Sequence, residues 1–465
     1  MKEKYLELIK NIPDYKVFLT VDELDASSFA LSEKHPDAVS IFPIGSTKEG
    51  RTLYCLKIGE GSKTALMFGC PHPNEPIGTM MLEYLSENLA KDEQLRKELD
   101  YTWYIVKAWD ADGLKLNEGW LKGPYTIGNY SRNFFRPAGH KQVDWTFPID
   151  YKDLHFHKPV PETEAMMKLI DEIKPHFIYS LHNAGFGGVY WYISQPVEPL
   201  YESMRAAADR VNVPLNLGEP EAPYCELLSP AIYKNSGIEQ EYDYLEKYGA
   251  ADIGNILNVG TCSESYARER YGSFTLLTEL PYFYDKRIMD MSEGHMTRKE
   301  AIAKNLDMNV EANEYMCSML SRAEGIVDSE NPFKIALEAF SSEHSDESTR
   351  KMIEENPEYN RIATIAEEFD NLLMSRFYKS LSYGMVIRMN EYELERMARR
   401  GETNADKEAK LKENIAFAEA EHRALTEQLE KELDYEVVPI RKLVSIQLEC
   451  GLLLCDYLHD KAMQF

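Results

Sequence analysis

Two short segments hold residue types suited to metal chemistry. In FGCPHPNEPIG a β-rich run ends at Cys70, and His72 and Glu75 follow in a turn before a helical pattern begins. Neutral imidazole and carboxylate are ligands that Zn2+ accepts, and His-x-x-Glu spacing lets both reach one ion. Alone this spacing is weak, because eleven histidines make a chance occurrence easy. A catalytic zinc site takes three protein ligands and keeps one position open for water. His182 is the candidate third ligand: it ends the strand-like run IYSLH and enters a tight Asn-Ala-Gly-Phe-Gly-Gly turn. Hydrolysis also needs a base to take the proton of the attacking water. Glu279 is an acidic residue at the end of the apolar run FTLLTELP. A carboxylate buried there without a partner is costly, and a nearby metal or polar cleft explains it. The alternative is a strand-end glutamate facing solvent.

Such residues meet only if strand ends coincide. The first 290 residues alternate β-rich runs with helical patterns, which predicts a layered α/β domain. Strands are expected at 64–70, 102–109, 176–182, 188–194 and 273–280, several of them apolar on successive positions, as in strands buried on both faces. Helices are expected at 80–99, 162–173 and 200–211, with loops over 110–160 and 214–262. Near residue 300 strand signals give way to long helical patterns at 359–400, 404–433 and 440–460. In 404–433, Leu411, Ile415, Ala418, Leu425 and Leu429 recur at heptad-like spacing. This divides the chain into a catalytic domain, 1–299, and a helical C-terminal domain, 300–465. The helical part reads as a lid, as a module through which two copies associate, or as an extension packed on its own domain.

At 465 residues, 44% hydrophobic and 28% charged, the chain has the composition of a globular protein of two or three domains. Its 52 basic and 78 acidic residues leave a net charge of −26. Phosphate backbones and anionic lipids repel such a chain, so neither nucleic acid nor a membrane surface is an expected partner. The N-terminal segment has no apolar core or small-residue cleavage site, and no stretch approaches a bilayer span. Seven cysteines without a C-x-x-C pair fit reduced thiols, which predicts the cytoplasm. Cys450 and Cys455 lie in an apolar helical run and read as packing; His155 and His157 read as a surface loop.

In order and content these segments resemble the zinc carboxypeptidase family of the carboxypeptidase A type, peptidase family M14. The similarity runs from IGSTKEGRTLYCLKIG (44–59) through GCPHPNE, ADG (111–113) and SRNF (131–134) to SLHNAG (180–185) and TLLTELP (275–281). It implies a three-layer α/β/α fold with a mixed, mostly eight-stranded sheet, to which this chain adds an all-helical C-terminal extension. It implies one Zn2+ per chain held by His72, Glu75 and His182. Glu279 is then the base that activates the bound water and protonates the leaving amine. Arg132, followed by Asn133, matches the arginine that pairs with the substrate's terminal carboxylate, a contact suited to a planar guanidinium.

The chain departs from the family pattern at several places. Ser131 and Asn129 stand where the family has asparagine and aspartate, and Asn74 replaces an arginine. No arginine lies between Asp112 and Arg132 to steady an oxyanion, which leaves Lys122 as the nearest candidate. Tyr266 and Tyr271 are the candidates for the family's flexible tyrosine, and Arg136 for a contact to an anionic substrate. Glu264, Arg268 and Arg270, ahead of the base strand, hint at a polar or charged substrate. The expected activity is a metallocarboxypeptidase releasing C-terminal amino acids from peptides. The alternatives are an N-acyl amino acid deacylase of the succinylglutamate desuccinylase or aspartoacylase type, a muropeptide peptidase, and a catalytically silent scaffold.

Overall fold

Apolar runs that alternate between two buried faces build the sheet that positions the site. The computed structural model describes residues 2–342 and 346–460. In chain order the sheet strands are β1 (Val39–Ser46), β2 (Thr52–Ile58), β3 (Lys63–Gly69), β4 (Tyr101–Val106), β5 (Phe177–Leu181), β6 (Tyr190–Ile193), β7 (Leu227–Ser229), β8 (Ile232–Lys234) and β9 (Phe274–Glu279). They form one mixed nine-stranded sheet in the order β1-β2-β4-β3-β5-β9-β6-β8-β7, one strand more than expected. Five of the nine coincide with the expected strands. The hairpin β1–β2 and the three-residue strands β7 and β8 do not appear in the sequence reading.

Alternate residues of the central strands enter opposite layers. Ala65 and Met67 face a core shared with helix α1 (Ile77–Lys91), whereas Leu66, Phe68 and Ile178 face Met166, Leu169 and Ile170 of the helix Pro161–Ile173. Each of these buried Met, Leu, Ile and Phe side chains contributes about 1.5–3 kcal/mol of transfer free energy. This is the expected α/β/α layering. The helical pattern over 80–99 ends early, at Lys91. Asp92 accepts a hydrogen bond from the Leu95 backbone N–H and starts a separate helix, Glu93–Leu99.

Register brings the chemistry together. β3 and β5 are parallel with Gly69 opposite Leu181, and β5 and β9 are parallel with Leu181 opposite Thr278. The carboxyl ends of three neighbouring strands therefore lie level, and His72, His182 and Glu279 all emerge at that edge, where open α/β sheets bind ligands. Two close approaches sharpen the turn after β3. Cys70 is buried in a left-handed conformation with φ 51°, and a Cβ on Gly78 would lie 2.5 Å from the Leu181 Cβ. Asn183 fastens the edge: its Oδ1 accepts from the Ile77 N–H (3.1 Å) and the Tyr282 hydroxyl (2.6 Å), and its Nδ2 donates to the Leu280 carbonyl (2.9 Å).

The four longest C-terminal helices are α2 (Arg298–Ala323), α3 (Ser375–Arg400), α4 (Ala405–Glu432) and α5 (Ile440–Asp460), and the shorter helices Pro332–Ser342, Asp346–Glu355 and Ile365–Phe369 lie between α2 and α3. A capping box of Thr297 and Glu300 starts α2. Asp370–Met374 form a π-helical turn leading into α3, and Gly401, at φ 63°, ends that helix. α4 folds back on α3, burying Leu411, Ala418 and Leu429, so the apolar stripe that suggested an association surface is used inside the chain. α5 returns to the sheet: the Tyr179 hydroxyl donates to the Gln447 carbonyl (2.9 Å), and a Cβ on Gly451 would lie 2.8 Å from the Tyr179 ring. No helix among the described residues is long and apolar enough to cross a membrane.

Candidate active site

His72 and Glu75 sit in the turn between β3 and α1, and His182 directly follows β5. The Glu75 carboxylate bridges the two imidazoles, with Oε1 3.1 Å from His72 Nδ1 and Oε2 2.9 Å from His182 Nδ1. One ligand atom from each residue lies within 4.8 Å of the others, and all three side chains are buried. Glu279 ends β9, buried, with Oε1 3.6 Å from His182 Nδ1.

The electrostatics call for a cation. Burial lowers the His72 pKa to about 3, which keeps its imidazole neutral. Burial alone would lower His182 as well, but Glu279, Glu75 and Asp144 raise it to about 10. Burial would raise Glu75, yet His72 and His182 hold it well below the usual carboxylate range. Glu279 is pushed well above that range by burial, reinforced by Glu75 and Glu221 and opposed by His182. Carboxylates thus gather around a buried histidine. Two imidazole nitrogens and a carboxylate at this spacing are a donor set that fits zinc, whose charge would replace the proton they retain on His182.

Behind the site, Ser180 Oγ lies 2.7 Å from His182 Nε2, and Asp144 and Glu264 approach the same imidazole. Asp144 accepts from the Ser263 N–H (3.0 Å). Outer carboxylates of this kind orient a metal-binding histidine. Sequence reasoning placed Glu264 in a substrate pocket and did not single out Asp144.

A cavity of about 1210 Å³ opens in front of the group, with His72, Glu75 and Glu279 in its wall. Asn74, Arg136, Tyr190, Glu219 and Glu221 come from the sheet edge and its loops, whereas Asn305, Asn309, Asp370 and Tyr378 come from the C-terminal helices and the turn before α3. The helical region therefore roofs the cavity. Tyr378 fastens that roof, because its hydroxyl donates to the carbonyls of Ala184 and Phe186, the latter at 2.8 Å.

Three of the expected substrate residues lie elsewhere. Arg132, near the end of the short helix Ile127–Asn133, points towards α3 and α4, where Glu391 receives both of its terminal nitrogens (2.5 and 3.2 Å) and Glu419 lies 3.4 Å away. Asn133 donates to Asn129, and its carbonyl accepts from Arg388 (2.7 Å). Lys122 pairs with Glu23 (2.6 Å) and donates to the Phe18 carbonyl (2.9 Å). None of the three lines the cavity. Arg136 does. After the helix ends, the chain turns through Phe134 and Phe135 and directs this guanidinium inward, with Nη1 2.9 Å from Glu75 Oε1 and Nε donating to Gln142 (3.3 Å). The remaining candidates are peripheral. Tyr266 and Tyr271 both donate to Asp171, Arg268 donates to Ser265, Arg270 lies over the Tyr266 ring, and His155 and His157 share exposed Asp150.

Comparison with known proteins agrees with this geometry. The zinc carboxypeptidase family model matches residues 26–296. Human carboxypeptidase A6 is 29% identical over 174 residues, covering 34% of this chain and 39% of the relative. Mouse mast cell carboxypeptidase A is 30% identical over 251 residues, covering 48% of this chain and 59% of the relative. The chain thus spans about half the length of these curated relatives. A carboxypeptidase A structure from Helicoverpa armigera aligns with a TM-score of 0.38 at 16% identity, covering 60% of this chain and 71% of that one. Because the family match runs through more than half of the sequence and takes in His72, Glu75, His182 and Glu279 together, the chain belongs to the zinc carboxypeptidase family.

Proposed function

We propose that this protein is a zinc metallocarboxypeptidase that releases C-terminal amino acids from short peptides. The observation that carries the reading is the grouping of His72, Glu75 and His182 within ligand distance of one another, with His72, Glu75, Glu279 and Arg136 in one cavity wall and His182 directly behind it. His72 Nδ1, Glu75 and His182 Nδ1 would hold the metal, which supplies a water of lowered pKa and polarises the scissile carbonyl. Burial favours the protonated carboxyl at Glu279, and a cation held beside it would restore the carboxylate that takes the proton of the attacking water and delivers it to the leaving amine. Arg136 takes the anchoring role expected of Arg132: its Nη2 makes no hydrogen bond among the described residues and is available to the substrate's terminal carboxylate. Asn74 Oδ1, buried and without a donor, is placed to accept a substrate backbone N–H. The roof of C-terminal helices limits the length of chain that enters and keeps bulk water from the site. All seven cysteines are unpaired, which supports a reducing compartment, the cytoplasm.

Incubation of the zinc-loaded protein with a mixed library of peptides and N-acyl amino acids, read by mass spectrometry, tests the reading. Release of single C-terminal residues is expected. Release of acyl groups alone favours the deacylase, and no product with zinc bound contradicts an enzymatic role.

A further inference from the structure

The cavity is short of positive charge. Besides Glu75 and Glu279 its wall contains Glu219, Glu221, Glu314, Glu347 and Asp370, against Arg136 and Lys379. Each cation is engaged, Arg136 by Glu75 and Lys379 by the Asn305 side chain at 2.9 Å. Glu219 is neutralised by Arg298, whose Nε lies 2.9 Å away. Glu221 has no such partner. Its carboxylate accepts from the hydroxyls of Tyr190 and Tyr192, the latter at 2.9 Å, and no basic side chain pairs with it among the described residues. The Asp370 carboxylate, in the π-helical turn, accepts the Glu219 backbone N–H (2.8 Å) and no other hydrogen bond among the described residues; burial, reinforced by Glu219, raises its pKa to about 8, so a cation placed against it draws out its negative charge.

Uncharged groups in the wall repeat the imbalance. The side-chain oxygens of Asn74 and Asn216 are buried there without a donor among the described residues, and Asn74 as a whole is only 5% exposed. A ligand that presents N–H donors and positive charge satisfies these acceptors; an apolar one leaves them desolvated and unpaired, and an anionic one meets repulsion. Location ties this wall to the chemistry. Tyr190 is the cross-strand partner of Glu279 in the β9–β6 register, and its hydroxyl reaches Glu221.

We infer that the substrate has a cationic side chain at one of the two residues flanking the scissile bond, with Glu221 as its counter-ion and Asp370 and Glu314 completing an acidic wall. The inference rests on the peptidase reading of the same cavity and names its substrate class. It also assigns a role to the helical region, which contributes Glu314 from α2 and Asp370 from the turn before α3.

The test compares kcat/KM on peptides identical except for lysine or norleucine, placed at the last or the penultimate position. At one of these positions lysine should be preferred by roughly tenfold to a hundredfold, the worth of a charge-assisted contact. Glu221→Gln should remove most of the ratio of lysine to norleucine kcat/KM, and Asp370→Asn should weaken that ratio in the same sense. Equal wild-type rates on lysine and norleucine at both positions, or equal losses on both peptides in Glu221→Gln, would overturn the inference. Calorimetry of the same peptides with the zinc-loaded protein separates it from the peptidase reading. Lysine-selective binding without turnover upholds the cation site and contradicts the activity, whereas turnover without lysine selectivity contradicts the cation site alone.

Discussion

The Arg136 guanidinium lies against the carboxylate of Glu75, Nη1 to Oε1 at 2.9 Å, and so places the cavity's arginine directly beside the metal-ligand group. Arg136→Ala should therefore impair cleavage of free-acid peptides about ten- to a hundredfold, with far less effect on C-terminally amidated peptides. Arg136→Lys should recover only part of the loss, because an ammonium does not reproduce the fixed plane from which the guanidinium meets Glu75, Gln142 and the substrate carboxylate at once. Steady-state kinetics on paired acid and amide substrates checks this, and equal losses on both would assign Arg136 a structural role.

Arg132 gives the contrasting case. Its partners Glu391 and Glu419 are partly exposed, at 36% and 41% of the side chain, so Arg132→Ala should cost no more than about 1 kcal/mol of stability. It should leave kcat/KM within a few-fold of wild type. A hundredfold kinetic loss with unchanged melting would return the substrate-anchoring role to Arg132.

Metal content follows the geometry of the two imidazoles. His72→Ala and His182→Ala should each lose most of the one zinc per chain that the wild type binds, because each removes one of three ligands. Elemental analysis after dialysis measures it, and stoichiometric zinc in both variants would remove the site.

The contact between the helix Ile127–Asn133 and α4 should be acid-sensitive. His422 is buried with Nε2 2.7 Å from Ser131 Oγ, and burial, reinforced by Arg132, lowers its pKa to about 4 from an ordinary 6.5. The folded state binds fewer protons on this group than the unfolded chain between these values, so its contribution is present above about pH 6.5 and is lost as the pH falls towards 4. The loss amounts to about 3 kcal/mol at most. His422→Gln should show a flatter dependence of melting temperature on pH from 6.5 to 4; an unchanged slope would show that the ring is solvated.

The candidate metal-binding group and Glu279 were legible because β3, β5 and β9 are buried on both faces and read as uninterrupted apolar runs, so that a His or Glu at or just after the end of each stands out. The β1–β2 hairpin was not, since Pro43 interrupts VSIFPIGS and the burial of β1 is only partial. The arginines show a different limit. SRNF selects Arg132 by residue type, but its direction is set by Glu391 and Glu419, 259 and 287 residues away, and no local pattern contains that information. The cavity roof was equally silent: Asn305, Asn309 and Asp370 are isolated polar residues in helical segments, which in sequence look like any solvated face. The family resemblance does not reach them, because the matched region ends at residue 296.

The central claim is that His72, Glu75 and His182 hold a zinc against which Glu279 moves protons. Zinc stoichiometry and kcat of the Glu279→Gln variant, measured on the same preparation with the best peptide substrate, test it most directly. One zinc per chain should be retained while kcat falls by about 10²- to 10⁴-fold, the usual worth of a positioned general base. Full zinc occupancy with kcat near that of the wild type would contradict the account.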